Sequence, residues 1–333
     1  MKFSKHAISA ISGLALSGLL ATTAVADTVR LKLAGTYPTA HFGHEIMETM
    51  VKEIEGAGVG IKVKYFPASQ LGSGEELIED AIRGNIDIVQ AFIYAQADPR
   101  LEIMNLPGLV TTFDEMKEVY GNPESNLNGL MREILDDLGL VFLNATAEGL
   151  VGIVAEKKPQ DPNGLGEKGM NIRVWSSEVA KKTVESLGYR TTTMNWAEVL
   201  PALQSGVVDG AICCTPEAAY VTFAQAGIGN YFIPANTAVE ASSIYASKKS
   251  WSKLSKEQQD VISAASAKAA AAVIDQAWER AEGFNKQMKE AGWEILDYTP
   301  AQRTAMVDHI KKNVWPELGD IIGQETMDRL LAK

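Results

Sequence analysis

The sequence has 333 residues, and its 42 acidic residues outnumber its 31 basic residues, so its formal net charge is -11 at pH 7. This length suits two domains better than one. The negative charge argues against a nucleic acid or an anionic membrane surface as the partner, but not against a small anionic ligand, because the field inside a pocket can differ from that of the whole chain.

The first 26 residues have the pattern of a secretory signal peptide. Lys2 and Lys5 supply the positive start, residues 8–20 an apolar segment, and Ala24-Val25-Ala26 a small-residue cleavage site before Asp27. The apolar segment is too short and too interrupted by serine and glycine for a membrane span, and no later stretch is apolar enough. We therefore predict cleavage near Ala26, export, and no membrane insertion. Loss of two lysines and no acids changes the formal charge from -11 to -13.

Residues 28–92 predict alternating strands and helices. Apolar alternation indicates strands at 28–33, 59–66 and 85–92, and an amphipathic helix spans 44–54. A strand, a helix and a further strand in this order predict a parallel pair with a right-handed crossover. The loop at 35–43 holds Thr36 and His41.

The middle of the chain continues this alternation. Residues 114–138 are helical in pattern with a break near Asn122-Pro123, and strands follow at 141–146 and 149–155, with a crossing into a second lobe near Glu148. A polar, Pro- and Gly-containing loop precedes a strand at 171–175, on which Ile172 and Val174 share one face and Arg173 takes the other.

Two helices and an apolar strand follow Arg173. The first helix ends at Gly188, and the second begins at Asn195 with Glu198 in capping-box spacing and ends at Gly206. Thr215-Pro216 then predicts the start of a further helix, because threonine is a good N-cap and proline suits the first helical position. Free N–H groups there would favour an anion, although an ordinary capped helix explains the pattern equally well.

One long helix is predicted near the end of the chain. Ser255 caps it, its alanine-rich pattern runs to about Glu290, and no glycine or proline interrupts it before Gly283, which favours one helix over a helical hairpin. Some thirty residues would span about 45 Å. The fold class is therefore α/β.

Motifs for enzymatic or metal chemistry are absent from the sequence. It has no G-x-S-x-G, P-loop or Rossmann glycine motif, and His41 and His44 are too sparse for a metal site. Cys213 and Cys214 are adjacent, and neighbouring residues rarely reach disulfide geometry, so we expect two thiols. None of the four histidines lies in the cysteine motif, which disfavours a nucleophilic pair. We predict no catalytic residue, cofactor or metal.

Several motifs resemble one family. The runs G-x-x-I-R-V from Gly169 and M-x-x-x-E-V-x-x-A-L-Q-x-G-V-V-D-G from Met194 are similar to the substrate-binding proteins of TRAP transporters, the DctP family, and a weaker likeness includes residues 65–72 and G-x-x-D-I from Gly84. The resemblance implies a two-lobed periplasmic binding protein with a ligand cleft between the lobes and the long helix as a spine. We expect lobe I at 27–148 plus about 239–280, and lobe II at 149–238 plus about 281–333.

The resemblance also implies a role for Arg173. The matching arginine of the family grips the acid group of an organic anion, and a guanidinium fork suits a carboxylate or a sulfonate in a way that lysine does not. We expect Thr215 to assist it. Five residues are expected to wall the pocket and two to close over it from lobe I: Phe92, Tyr94, Trp175, Cys213 and Trp196, and then Thr36 and His41.

Departures from the family pattern narrow the expected ligand. Trp175 stands where proline is common and fills volume, and Ile212 and Cys213 replace the glutamate and tryptophan of a metal-using branch. Val151 and Phe92 stand where sialic-acid-type members have an arginine and a carboxylate. We therefore expect a compact acid, either a C2 to C4 hydroxy- or oxo-carboxylate or a short sulfonate such as isethionate.

The predicted function is that of a periplasmic receptor that delivers its ligand to the membrane permease of a TRAP transporter. Three alternatives stay open at this point: a receptor for an ABC importer, an exported enzyme acting on a small acid, and a sensor that presents ligand to a membrane kinase.

Overall fold

A computed structural model describes residues 28–332, in which two β-sheets are flanked by helices. The strands are β1 (Val29–Gly35), β2 (Ile61–Phe66), β3 (Ile88–Phe92), β4 (Leu140–Leu150), β5 (Gly152–Ala155), β6 (Asn171–Val174), β7 (Arg190–Thr193), β8 (Gly210–Cys214), β9 (Tyr231–Ile233), β10 (Val239–Ser247) and β11 (Glu294–Ile295). The predicted signal peptide lies outside the described residues.

The α-helices are α1 (Phe42–Gly56), α2 (Gly74–Arg83), α3 (Phe113–Met116), α4 (Asn126–Asp137), α5 (Glu178–Ser186), α6 (Trp196–Gln204), α7 (Pro216–Thr222), α8 (Lys248–Trp251), α9 (Lys256–Glu290), α10 (Pro300–Asn313), α11 (Trp315–Leu318) and α12 (Gln324–Leu330). Short 3-10 helices occur at Pro99–Asn105 and Ala224–Ala226, and single π-helical turns at Lys117–Gly121 and Gly319–Gly323. No helix within 28–332 is both long and apolar enough to cross a membrane.

The first sheet has the strand order β2-β1-β3-β10-β4. Strand β1 pairs in parallel with both β2 and β3, which confirms the parallel pairing predicted for residues 28–92. Strand β10 returns late in the chain to lie antiparallel between β3 and β4. Because three parallel strands end at one edge of this sheet, the loops after β1, β2 and β3 gather there.

The second sheet has the strand order β11-β9-β5-β8-β6-β7. Strand β6, which carries Arg173, pairs in parallel with β7 and β8, and Arg173 stands opposite Thr192 and Ala211. The chain crosses from the first sheet to the second at Val151, because β4 continues through Glu148 to Leu150 before β5 begins. The predicted crossing near Glu148 thus lies close to the end of β4. The lobe boundaries given above stay a prediction.

Helix α9 is the predicted long helix, and it is one helix of 35 residues. At 1.5 Å per residue it spans about 52 Å. Ser255 caps it in a capping box with Gln258. It packs on α1 and on β4 of the first sheet, and also on α7, which follows β8 of the second sheet. It thus contacts elements of both sheets, as expected for the spine.

Candidate functional site

Arg173 is almost completely buried although it is charged. Its neighbours Ile172 and Val174 face the core, and the Arg173 side chain on the opposite face is only 4% exposed. Its Nε donates to the main-chain oxygen of Met194 at 3.0 Å, and its guanidinium lies 5.8 Å from the ring centre of Trp196. Within residues 28–332, no carboxylate lies within ion-pair distance of it. Its two terminal nitrogens are thus left without a protein counter-ion.

The pKa of Arg173 reflects this burial. Loss of hydration lowers the pKa from its ordinary value to about 10, while the nearby Tyr94 and Glu75 oppose the change. The group therefore stays charged at neutral pH. A buried charge without a counter-ion is costly, and an anion placed against the free nitrogens would offset that cost.

Aromatic side chains from both sheets meet near Arg173. Phe92, at the end of β3, lies 5.2 Å from the ring of Tyr94 and 6.3 Å from that of Trp175, which follows β6. Burial and Glu75 raise the pKa of Tyr94 to about 12, with Arg173 opposing. The Tyr94 hydroxyl is therefore protonated at neutral pH and able to donate a hydrogen bond.

These contacts bring together four of the predicted wall residues. Phe92, Tyr94 and Trp175 form one aromatic group, and Trp196 contacts Arg173 while remaining 45% exposed. Their contact with a ligand stays a prediction.

The expectation of two free thiols is wrong. Cys213 and Cys214 form a disulfide at the end of β8, where their Cα atoms are 3.7 Å apart. The prediction used the wider Cα separation of ordinary disulfides, whereas adjacent residues bridge through a small ring that includes their shared peptide. Cys214 is buried and Cys213 half-buried. A disulfide sulfur is not a thiolate, so this pair offers no cysteine nucleophile.

Thr215 caps α7, as the sequence predicts. Its Oγ1 accepts from the Ala218 N–H at 3.4 Å, and its own N–H donates to Glu240 Oε2 at 2.7 Å. Glu217 adds a second carboxylate to the first turn. Two carboxylates of the chain thus already lie at this helix terminus, and a ligand contact of Thr215 stays a prediction.

Thr36 and His41 follow β1 at the gathered strand ends. The Thr36 N–H donates to both oxygens of Gln90, the main-chain oxygen at 3.1 Å and Oε1 at 3.2 Å. His41 Nδ1 accepts from the Gly43 N–H, and its Nε2 lies 3.5 Å from Glu148 Oε2. The structure thus places His41 against a strand that joins the sheets, and the predicted ligand contacts of both residues stay predictions.

The imidazole of His41 is neutral at physiological pH. Burial lowers its pKa to about 4; Arg280 acts in the same direction, and Glu217 opposes it. His44 pairs instead with Glu48, at 3.6 Å. Across the described part of the chain, no group of three or more His, Cys, Asp and Glu residues has the geometry of a metal site.

Sequence reasoning missed two half-buried glutamates on the strands that join the sheets, β4 and β10. Glu148 on β4 accepts from Ser242 Oγ at 2.9 Å, and Glu240 on β10 accepts from Thr215. Burial raises the pKa of both carboxyls, most strongly that of Glu148. In each case, the sequence offered one signal: a glutamate at a position of a strand where an apolar residue would be expected.

Two surface depressions lie apart from these residues. One of about 280 Å³ is bounded by α4, β4 and α9, and one of about 530 Å³ lies beside residues 203–209. Neither is lined by Arg173 or by another predicted ligand residue.

A family model described as bacterial extracellular solute-binding protein, family 7 (DctP), matches residues 34–318. The chain belongs to this family. The resemblance to the solute-binding proteins of TRAP transporters is thereby confirmed, and so is the two-lobed α/β fold.

Individual relatives and solved structures are consistent with the membership of this chain in the DctP family. The C4-dicarboxylate-binding periplasmic protein DctP of Rhodobacter capsulatus is 23% identical over 330 residues, covering 97% of this chain and 96% of that protein. A TRAP periplasmic solute-binding protein of Ochrobactrum anthropi has a TM-score of 0.79 at 23% identity, covering 92% and 94% of the two chains. One of Sulfurospirillum deleyianum, solved with bound succinate, has a TM-score of 0.78 at 20% identity, covering 92% and 99%.

Proposed function

We propose that this DctP-family protein is the periplasmic receptor of a TRAP transporter and that it binds a small organic anion through Arg173. The observation that carries the proposal is the burial of this guanidinium with one main-chain partner and no counter-ion. Nothing in the described fold requires a charge there, since β6 pairs through its backbone. A bound anion would offset the free-energy cost of burying the charge of Arg173, which explains why an arginine stands at this position.

The side chains around Arg173 support a compact ligand. Phe92 and Trp175 pack edge to face across the two sheets, and Tyr94 offers a single hydroxyl donor. Such walls suit an acid with few hydroxyl groups better than a sugar acid, which needs a hydrogen-bond partner for each hydroxyl. We therefore propose a C2 to C4 hydroxy- or oxo-carboxylate or a short sulfonate such as isethionate. The dicarboxylate and succinate named for two of the relatives are consistent with this class.

The same proposal assigns the remaining steps of transport. The ligand enters between the lobes, the lobes close about the joining strands, and the loaded receptor docks on the membrane permease subunits of the transporter. The protein binds its ligand and does not transform it.

Isothermal titration of the mature protein against C2 to C4 carboxylates and isethionate tests the proposal. Denaturing mass spectrometry first shows whether a ligand copurifies, and unfolding and refolding removes it. We expect saturable one-site binding of at least one acid, and loss of about 100-fold or more in affinity with Arg173→Lys, because lysine keeps the charge but lacks the fork.

Arg303→Lys is the matched control. Arg303 is also a partly buried arginine, but it donates to the main-chain oxygens of Pro234 and Ala235, away from Arg173. This variant should bind as the wild type does. Equal affinity of the Arg173→Lys protein and the wild type, or turnover of a bound acid, would contradict the proposal.

A further inference from the structure

Arg280 of the spine helix contacts two other helices, one beside each sheet. It lies where α9 packs against α1, which follows the first strand of the first sheet, and against α7, which follows β8 of the second. Its Nε donates to Glu217 Oε2 at 2.6 Å and its Nη2 to Oε1 at 2.5 Å. Glu217 is 4% exposed. This two-bond pair fixes the edge of the guanidinium to α7.

The face of the same guanidinium rests on Phe42. Its Cζ lies 4.2 Å from the ring centre of Phe42, the first residue of α1. Phe42 is itself 8% exposed. A planar guanidinium can bind a carboxylate along its edge and an aromatic ring on its face at the same time, which an ammonium group cannot. Arg280 uses both surfaces, one towards each lobe.

The surroundings of Phe42 connect this contact to the strands that join the sheets. Its ring lies 4.7 Å from that of His41, whose Nε2 faces Glu148 on β4. Arg280 is held to Glu217 on α7 by two charge-assisted hydrogen bonds, and to Phe42 on α1 only by the contact with the ring. A rotation of one lobe against the other about these strands strains both contacts, and the contact with the ring is the weaker one and breaks first.

We propose that Phe42 and Arg280 form an interlobe latch that stabilises the closed arrangement without touching the ligand. The contact favours closure in the ligand-free protein, and it raises affinity because the closed form is the one that holds the ligand. The second effect rests on the proposed function, but the first does not.

Phe42→Leu tests the latch, because leucine keeps an apolar side chain and removes the π face. Double electron–electron resonance between spin labels on unnatural amino acids at exposed Lys52 and Gln204 reports the separation of the lobes. We expect a closed population in the ligand-free wild type, a smaller one in the variant, and affinity about threefold to tenfold weaker.

Phe113→Leu is the matched control. Phe113 also contacts the spine, through the ring of Trp278 at 5.0 Å, but no guanidinium lies on it. It should leave the distances unchanged and the affinity within about twofold of the wild type. If Phe42→Leu fails to fold, Arg280→Lys replaces it, since lysine can keep the charge pair with Glu217 while losing the stacked face.

Three results would overturn the latch: no closed population in the ligand-free wild type, unchanged distances in Phe42→Leu, or the same shift in Phe113→Leu. Failure of every acid to bind would instead count against the proposed function, and the ligand-free distances would still decide the latch.

Discussion

Replacing Arg173 with methionine should stabilise the ligand-free protein while abolishing its response to ligand. Burial lowers the pKa of Arg173 from the ordinary value of an arginine to about 10. Each pKa unit corresponds to 1.36 kcal/mol, so the charged form of Arg173 is about 3 kcal/mol less favourable in the folded protein than in the unfolded chain. Methionine removes that cost and fills much of the same volume.

Two favourable interactions are lost with the guanidinium and reduce the gain. The hydrogen bond from Nε to Met194 is worth about 1 kcal/mol, and the contact with the half-exposed Trp196 about 0.5 to 1 kcal/mol. The remainder is about 1 kcal/mol, which raises the midpoint of thermal unfolding by roughly 2 °C in a chain of this size. Ligand at a hundredfold excess over its Kd, which should stabilise the wild type by about 2.7 kcal/mol, should have no effect on the variant.

Differential scanning calorimetry with and without ligand measures both effects. Arg303→Met serves as the control, because Arg303 donates to two main-chain oxygens that would be left unpaired. It should destabilise the protein and leave the ligand-induced shift intact. The reasoning fails if Arg173→Met is less stable than the wild type by more than about 1 kcal/mol, or if ligand still stabilises it.

Two further predictions concern the buried carboxyl of Glu102 and the disulfide. Burial raises the pKa of Glu102 to about 7, above its usual value of 4.5, so this group should lower the free energy of unfolding by about 3 kcal/mol as pH rises from 4.5 to 7. Glu102→Gln, which still accepts from Ser177, should flatten the pH dependence of urea unfolding over this range; an unchanged slope would refute the assignment. Reduction of the Cys213–Cys214 bond should lower the free energy of unfolding by only about 1 kcal/mol, because the loop that it closes is short. The same reducing agent should not change the free energy of unfolding of a Cys213→Ser/Cys214→Ser protein. Free thiols in the denatured, unreduced protein would contradict the bridge.

The positions of most elements could be read from the sequence because the signals are local. Caps such as Ser255 with Gln258 act within one turn, and the strand pattern around Arg173 depends on alternate residues. The motif that surrounds Arg173 also carried the family resemblance. The sequence by itself therefore determined the α/β class, the single spine helix and the side chain at the centre of the candidate site.

Only the tertiary structure decided how distant polar groups meet. The pairing of Arg280 with Glu217 and the stacking of Arg280 on Phe42 join segments far apart in the chain, so no local periodicity reports them. The burial of Arg173 without a counter-ion is likewise a property of the packing around it. Propensity acts between near neighbours, whereas desolvation and ion pairing depend on which surfaces the fold brings together. For this reason the sequence could identify Arg173 as a candidate ligand-binding residue, but only the fold showed that it lacks a protein counter-ion.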